Sequence, residues 1–530
     1  MKTFRKLYRY LIGLFCYYPP FSIVKPSFFE FKKKKTKETK NKINYKVAFQ
    51  LSNDEYSFLI FGNLFCKLSE KTNLKVDAIL CNSISESVGF NLKSFFQRNT
   101  FFVWLRSNQW LRAYGKNIPI RAKFRSLNFF YFYLDVKFFF IAYKYWKALI
   151  LKKKKLQYKS IEIRDLIIET YIRFRSAPKF NPTDFFVLKI IWQAIIDIER
   201  LDKYFLANKP NLFIVANTSY ITHGIPLRVA LKHNVKTICS NLKTLYKILS
   251  KKDNLQVPDY RYYKKIFSNL PNKSKLLKKS ETYLKARFSG KKDDGIHYLR
   301  TTPYHNKNIK INLKKLSVII YLHDFYDATH QYKEFIFDDY WDWLLSTIQI
   351  LKRNNINFYI KQHPNKINEN DKVINNLKKI IPEYHWLPEQ ITTRQLVEDK
   401  IIACGVTAHG TIAHELAYFG IHSICCANHP HISFNFCRTA KSKKEYQTFL
   451  INYLKSPLSP SKMKKQSLAF YYMSNLYGSK KQKLFFKKNL DLLLNCRANK
   501  STINKAKKIK YSIDKLYNDK YFDKLVHKLI

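Results

Sequence analysis

Between Lys315 and Asn428 the chain repeats one pattern, a short and almost wholly apolar run followed by a helix-length segment. The runs are KLSVIIYL (Lys315 to Leu322), INFYIKQHPN (Ile356 to Asn365), KIIACGVT (Lys400 to Thr407) and IHSICCAN (Ile421 to Asn428). Between them lie DDYWDWLLSTIQILKRNN, DKVINNLKKII and TIAHELAYFG, each with helical periodicity. Strands that are apolar on both faces must be covered on both, so this alternation demands a parallel sheet with helices on each side.

A second copy of the pattern precedes it. YKVAFQL (Tyr45 to Leu51) and KVDAILC (Lys75 to Cys81) read as strands, and PNLFIVANTSY, HGIPLRVALKHN and VKTICSN (Val235 to Asn241) read as strand and loop, helix, strand. The fold class expected is α/β, two Rossmann-like domains facing a cleft, with a helical insertion and basic termini. The expected division is a basic N-terminal segment over 1–42, an N-terminal acceptor domain over 43–249, a polar Lys-rich linker over 250–312, a C-terminal nucleotide-sugar domain over 313–455 and a Lys-rich helical tail over 456–530.

Ligands in such sheets bind beyond the carboxyl ends of the strands, which directs attention to the residues just after each run. After Thr407 the chain turns through Ala408, His409 and Gly410 into a helix at Thr411, a start whose first N–H groups suit an anion. Gly420 matches the position where that helix must stop. GVTAHGT has two glycines at P-loop spacing, but no Lys-Ser/Thr follows, so a P-loop is excluded. In the same helix His414 and Glu415 are candidate donor ligands, the carboxylate for sugar or ribose hydroxyls. KQHPN places Lys361 as a point charge and His363 as a donor to a phosphate at another strand end. YLHDFYDATHQ adds His323 and Asp327, with Asp324 and His330, while NTSYITHG in the first half places His223 at a strand-to-helix junction.

Composition narrows the partners. The 96 Lys and Arg against 38 Asp and Glu leave a formal charge of +58, which attracts phosphate polymers and anionic lipid alike. Lys, Asn, Ile, Phe and Tyr are abundant throughout while Gly numbers only 11, a bias that discounts charge as a sign of nucleic acid, and no zinc-finger or RNA-binding signature is present. No nucleic-acid partner is expected. Nine cysteines without regular spacing, several inside apolar runs, read as buried reduced thiols in a cytoplasmic protein. Cys404, His409, His414, Cys425, Cys426, His429 and His431 form a pool that invites zinc. With three of its cysteines in strand-like runs and no C-x-x-C pair, no metal site is expected. Neither Leu7 to Phe21 nor Leu127 to Leu151 approaches the roughly 20 uninterrupted apolar residues of a membrane span. The first reads as an interfacial segment and the second as a packed helix or strand, so contact with the anionic inner leaflet is expected to be peripheral.

The string from FDDYWDWL through IKQHPN to HGTIAHELAYFGI and NHPHISFNF resembles the capsule and surface-polysaccharide biosynthesis glycosyltransferases of the GT-B type, over roughly Pro210 to Phe436. More distantly it is similar to lipid-linked Kdo and polyglycerol-phosphate transferases, which carry an HP motif followed by a glycine-threonine or glycine-serine helix start. The resemblance implies a metal-independent transferase with no cofactor. Its substrates would be a nucleotide-sugar donor and a polysaccharide or lipid-linked glycan acceptor. His363, Gly410, Thr411, His414 and Glu415 would meet the donor. If the reaction inverts, a general base on the N-terminal domain is expected for the acceptor, and His223 is the candidate. Where the family often has a proline-containing IPV, this chain has Ile421-His422-Ser423. Transfer of glycerol- or sugar-phosphate to a polymer is the alternative reaction. A non-catalytic polysaccharide-binding or assembly protein on a degenerate frame is the alternative of another class.

Overall fold

The structure, a computed structural model, describes residues 42–51, 55–80, 111, 114, 123–128, 136–151, 155–175, 177–241, 245–291, 293, 304, 309, 312–363, 368–478, 518 and 520–530. The stretch from Leu7 to Phe21 lies outside them. The chain forms two compact units. One holds residues up to 256 apart from 176–180, together with 478–530; the other holds 176–180 and 257–477.

Among the described residues the first unit has eight strands, β1 (Ile43–Gln50), β2 (Thr72–Leu80), β3 (Lys123–Asn128), β4 (Gln157–Tyr158), β5 (Ile161–Glu162), β6 (Leu212–Val215), β7 (Thr237–Asn241) and β8 (Leu245–Leu249). Six make one sheet in the order β3-β2-β1-β6-β7-β8, parallel except for the antiparallel β7–β8 pair. β4 and β5 form a small separate hairpin. Helices α1 (Glu55–Lys71), α2 (Val136–Ile150), α3 (Arg164–Arg175), α4 (Phe185–Asn208) and α5 (Tyr220–Lys232) belong to this unit. Within the Leu127 to Leu151 stretch, α2 is an amphipathic helix, burying Phe138, Ala142, Trp146 and Leu149. No helix among the described residues is long and apolar enough to cross a membrane.

Val47 of β1 aligns with Val76 on one side and Leu212 on the other, so the apolar centres of three strands coincide. Beneath them Phe49 meets the rings of Phe61, Phe65 and Tyr114 edge-on at centroid distances of 6.2, 5.0 and 5.3 Å. The helix Lys520–His527 completes this core: Phe522, Val526 and Leu529 are buried in it, and the Tyr45 hydroxyl donates to the Leu529 carbonyl at 2.6 Å.

The second unit contains α6 (Tyr263–Ser268), α7 (Lys273–Phe288), α8 (Tyr340–Arg353), α9 (Asn368–Ile380), α10 (Thr393–Glu398), α11 (Ile412–Tyr418), α12 (Lys443–Ile451) and α13 (Pro460–Tyr471). Its strands β9 (Ser317–Tyr321), β10 (Phe358–Lys361), β11 (Ile402–Val406), β12 (Ser423–Cys425) and β13 (Cys437–Thr439) form a wholly parallel sheet in the order β10-β9-β11-β12-β13. α8 starts where the Asp339 side chain accepts from the Asp342 amide at 2.7 Å, leaving Trp343 and Leu344 to face the core.

Two expected boundaries take a different form. The stretch expected as a polar linker over 250–312 contains α6 and α7, and α7 buries Leu284, Arg287 and Phe288. The expected tail over 456–530 divides: Met463, Phe470 and Met473 pack with Ala413 and Ala417 of α11 in the second unit, whereas Lys520–His527 packs in the first. In the described helices of both stretches the lysines occupy the solvent side, and average composition conceals the buried stripe.

Candidate functional site

A doubly wound sheet has a crevice where neighbouring strands send their connections in opposite directions. In the second unit that place lies between β9 and β11. His323 follows β9, and Thr407, His409 and Gly410 follow β11. His323 Nε2 lies 2.9 Å from Thr407 Oγ1, and the Gly410 N–H donates to the same oxygen at 3.2 Å. The His409 amide also points at His323 Nε2, 3.5 Å away, which marks that nitrogen as the acceptor and places the ring proton on Nδ1. The His323 ring lies parallel to Tyr340, centroids 4.9 Å apart, and the Tyr340 hydroxyl is hydrogen-bonded to His409 Nε2 at 2.7 Å. A methyl group at Gly410 would lie 2.6 Å from Thr407 Oγ1, so glycine is needed here for close approach. Gly420 serves a different need, a φ of +80° just past the end of α11.

His363, half-buried beyond β10, is near enough to influence the titration of His323. Burial first, and the imidazoles of His409 and His363 second, hold His323 well below the ordinary histidine value. Burial pushes His409 down to about 4. At neutral pH this edge is therefore an uncharged array of imidazoles and a hydroxyl. Lys361, expected here as a point charge, instead donates to the Ile391 carbonyl at 2.6 Å, and burial draws its ammonium down to about 8 against the pull of Glu389. It ties β10 to the loop before α10.

His414 and Glu415, expected as donor ligands, have their side chains inside the unit. Both side chains are buried on the side of α11 that meets α7 and α13. His414 directs Nδ1 at the Thr411 carbonyl, and its ring lies 5.0 Å from Phe470. Glu415 Oε1 accepts from Arg287 Nη1 at 3.1 Å and from the Tyr304 hydroxyl at 2.7 Å, while Arg287 also pairs with Asp293 at 2.6 Å. Burial raises the Glu415 pKa and Arg287 opposes the rise. The carboxylate is a brace inside the unit. Thr411 remains exposed, and its amide and that of Ile412 have no acceptor among the described residues. Asp327 is exposed, with Oδ1 capping the Ala328 amide at 2.9 Å.

In the first unit the corresponding reversal falls between β1 and β6. Gln50 ends β1, and His223 lies in the first turn of α5, which follows β6. His223 Nδ1 is 2.8 Å from Gln50 Oε1, and Gln50 Nε2 donates to the Thr222 carbonyl at 2.6 Å. The amide is thus oriented by the backbone, so its oxygen receives the His223 Nδ1–H and leaves Nε2 as the basic nitrogen. Gln50, Tyr340 and Arg287 were not singled out in the sequence. Gln50 carried a usable signal, a polar residue at the carboxyl end of the apolar run VAFQ.

The thiol and imidazole pool also separates. Cys404 and Cys426 point their sulfurs toward the carbonyls of Gly405 and Ala408, whereas Cys425, His429 and His431 gather around Cys437.

No protein-family model matches the chain, and no curated protein matches it significantly. Among solved structures, the beta Kdo 2,7 transferase KpsC of Thermosulfurimonas dismutans aligns over 51% of this chain and 80% of its own, at 9% identity and a TM-score of 0.27. The UDP-GlcNAc 2-epimerase of Methanocaldococcus jannaschii, solved with UDP-GlcNAc and UDP, covers 80% of this chain and 98% of its own at 10% identity and a TM-score of 0.23. A glycotransferase of kitacinnamycin covers 92% and 99% at 7% identity and a TM-score of 0.22. At these scores the alignments carry no argument about fold or activity, and the reading of the chain rests on its own strands and side chains.

Proposed function

We propose that this protein is a glycosyltransferase that moves a sugar from a nucleotide-activated donor to a hydroxyl of a surface polysaccharide. The observation that carries the proposal is the neutral array at the β9–β11 reversal, where His323, Thr407, His409 and Gly410 converge beside His363 and the exposed Thr411. A departing nucleotide gains negative charge on its phosphate, and prepositioned donors stabilise that charge more than they stabilise the bound donor. The imidazole of His363 and the amides of Thr411 and Ile412 take this part. In the transfer the acceptor oxygen bonds to the anomeric carbon as the bond from that carbon to the phosphate oxygen breaks, and the hydroxyl proton passes to a base, for which His223 Nε2 is the candidate in the first unit. Gln50 keeps His223 in the required tautomer. The charge of +58 favours approach of an anionic donor and peripheral residence on an anionic leaflet.

The test is release of free nucleotide from a panel of UDP-, CMP-, GDP- and dTDP-sugars incubated with the full chain and a glycan acceptor. One donor is expected to be consumed, and His363→Ala is expected to slow that reaction about 100-fold, as for loss of one stabilising donor, at an unchanged melting temperature. Failure of every donor either to react or to raise the melting temperature would remove the proposal.

A further inference from the structure

Cys425 is the last residue of β12, and Cys437 is the first of the neighbouring strand β13. Their sulfurs are 3.1 Å apart. The loop between these strands returns His429 and His431 to the same point, so that one donor atom from each of the four residues lies within 4.8 Å of the others. The two histidine rings stack at 3.8 Å. His431 is fully buried with neither ring nitrogen hydrogen-bonded, and His429 Nδ1 likewise has no hydrogen-bond partner. Buried polar groups without partners are rare because each forfeits its hydration, and here the orphaned nitrogens border two thiols.

We propose that Cys425, His429, His431 and Cys437 form a closed zinc site that pins the β12–β13 loop to the carboxyl edge of the second sheet. Zn–S bonds of about 2.3 Å and Zn–N bonds of about 2.0–2.1 Å in a tetrahedron place ligand atoms roughly 3.3–3.8 Å apart, a spread that the gathered donors meet with little movement. Two thiolates and two imidazoles suit zinc in preference to magnesium or calcium. His429 already has an outer partner: its Nε2 lies 2.6 Å from Thr439 Oγ1, so an Nε2–H donated there leaves the Nδ1 lone pair for the metal. Four protein ligands fill the coordination shell and leave no position for substrate, so the ion is structural and separate from the transfer chemistry proposed above. Its reach extends through the loop backbone, because the Asn428 amide donates to the Lys333 carbonyl and the Ile336 amide to the Cys426 carbonyl, both at 3.1 Å. Those bonds secure the segment carrying Tyr332, whose ring lies 5.0 Å from His409.

The experiment is elemental analysis of the full chain purified without chelator from zinc-supplemented medium, followed by exchange with cobalt(II). Close to one zinc per chain is expected, together with the visible absorption of tetrahedral, thiolate-bound cobalt. Cys437→Ser and His431→Ala should each lower the zinc content at least tenfold. If those variants do not fold, the unmodified protein still decides the matter, since a mercurial reagent should release the zinc as two thiols are consumed. Metal-free protein with Cys425 and Cys437 in a disulfide, metal-free protein with both thiols titratable, or zinc retained in both folded variants would each overturn the site.

Discussion

The carboxyl edges of the two sheets occupy equivalent topological places and are furnished differently. At the first, Gln50 fixes one imidazole, His223, with Nδ1 protonated. At the second, His323 meets a threonine hydroxyl that also accepts from a glycine amide, His409 meets a tyrosine hydroxyl, and burial keeps both imidazoles uncharged. Sheet topology selects where chemistry can occur, and the residues after each strand select which chemistry. One edge presents a single imidazole oriented by an amide, the other a cluster of imidazoles and hydroxyls bonded to one another.

The largest way to break this comparison acts behind the edges. Arg287, almost fully buried, holds Glu415 and Asp293, whereas Arg228 in the first unit pairs with Asp165 at a more exposed position. Arg287→Leu takes the cation from buried Glu415 and half-buried Asp293, leaving each a tyrosine hydroxyl, and should cost about 3–5 kcal/mol, with Arg228→Leu costing clearly less. Chemical denaturation measures both, and equal losses would remove the contrast. Glu415→Gln leaves Arg287 its Asp293 partner and should fall between the two.

Titration gives the next largest effect, with opposite signs in the two units. Burial pushes the Asp197 carboxyl in α4 up to about 7 from 3.8, so the unfolded chain ionises first and stability is lost as pH rises from about 4 to 7. Asp197→Asn should recover on the order of 3–4 kcal/mol at pH 8 and far less at pH 4. In the second unit, burial brings His409 and His422 down to about 4, so the unfolded chain takes up protons first and the stability they carry is lost as pH falls from 6.5 towards 4. At pH 5 each should cost about 2 kcal/mol. Melting temperatures across this range, with and without Asp197→Asn, test both signs; a variant that shifts the melt equally at pH 4 and 8 would contradict the first.

Replacing His223 should matter somewhat less. His223→Ala is expected to slow transfer to the acceptor about 100-fold, roughly 2.7 kcal/mol, while leaving slow donor hydrolysis intact. His363→Ala should depress both, and identical profiles for the two variants would deny the division of labour. The smallest effect is expected from Gly410→Ala, whose new methyl must displace the Thr407 hydroxyl: a loss of about 1–3 kcal/mol, visible as a lower melting temperature.

How far such a site can be read in advance depends on what positions each residue. The alternation from Lys315 onward was legible because strands buried on both faces leave near-continuous apolar runs, and β9, β10, β11 and β12 all fall within the runs named. His323, His363 and Gly410 were legible as strand-end residues. Glu415 was not, because a helix start shows which residues it contains but not which face α7 and α13 will cover. Its partner Arg287 lies 128 positions earlier in a stretch that composition disguised as a linker. Cys437 escaped for a related reason: β13 is three residues long, too short for periodicity to show, and the neighbour that brings it to Cys425 is a matter of sheet order.

Tyr45 and Leu529, joined by one hydrogen bond, are separated by 484 positions. During vectorial synthesis the first sheet is made early, yet part of its core, Phe522, Val526 and Leu529, emerges only after the whole second unit has been translated. The nascent first unit must therefore wait with apolar surface uncovered while another unit folds within its own chain, the period in which chaperone protection matters most.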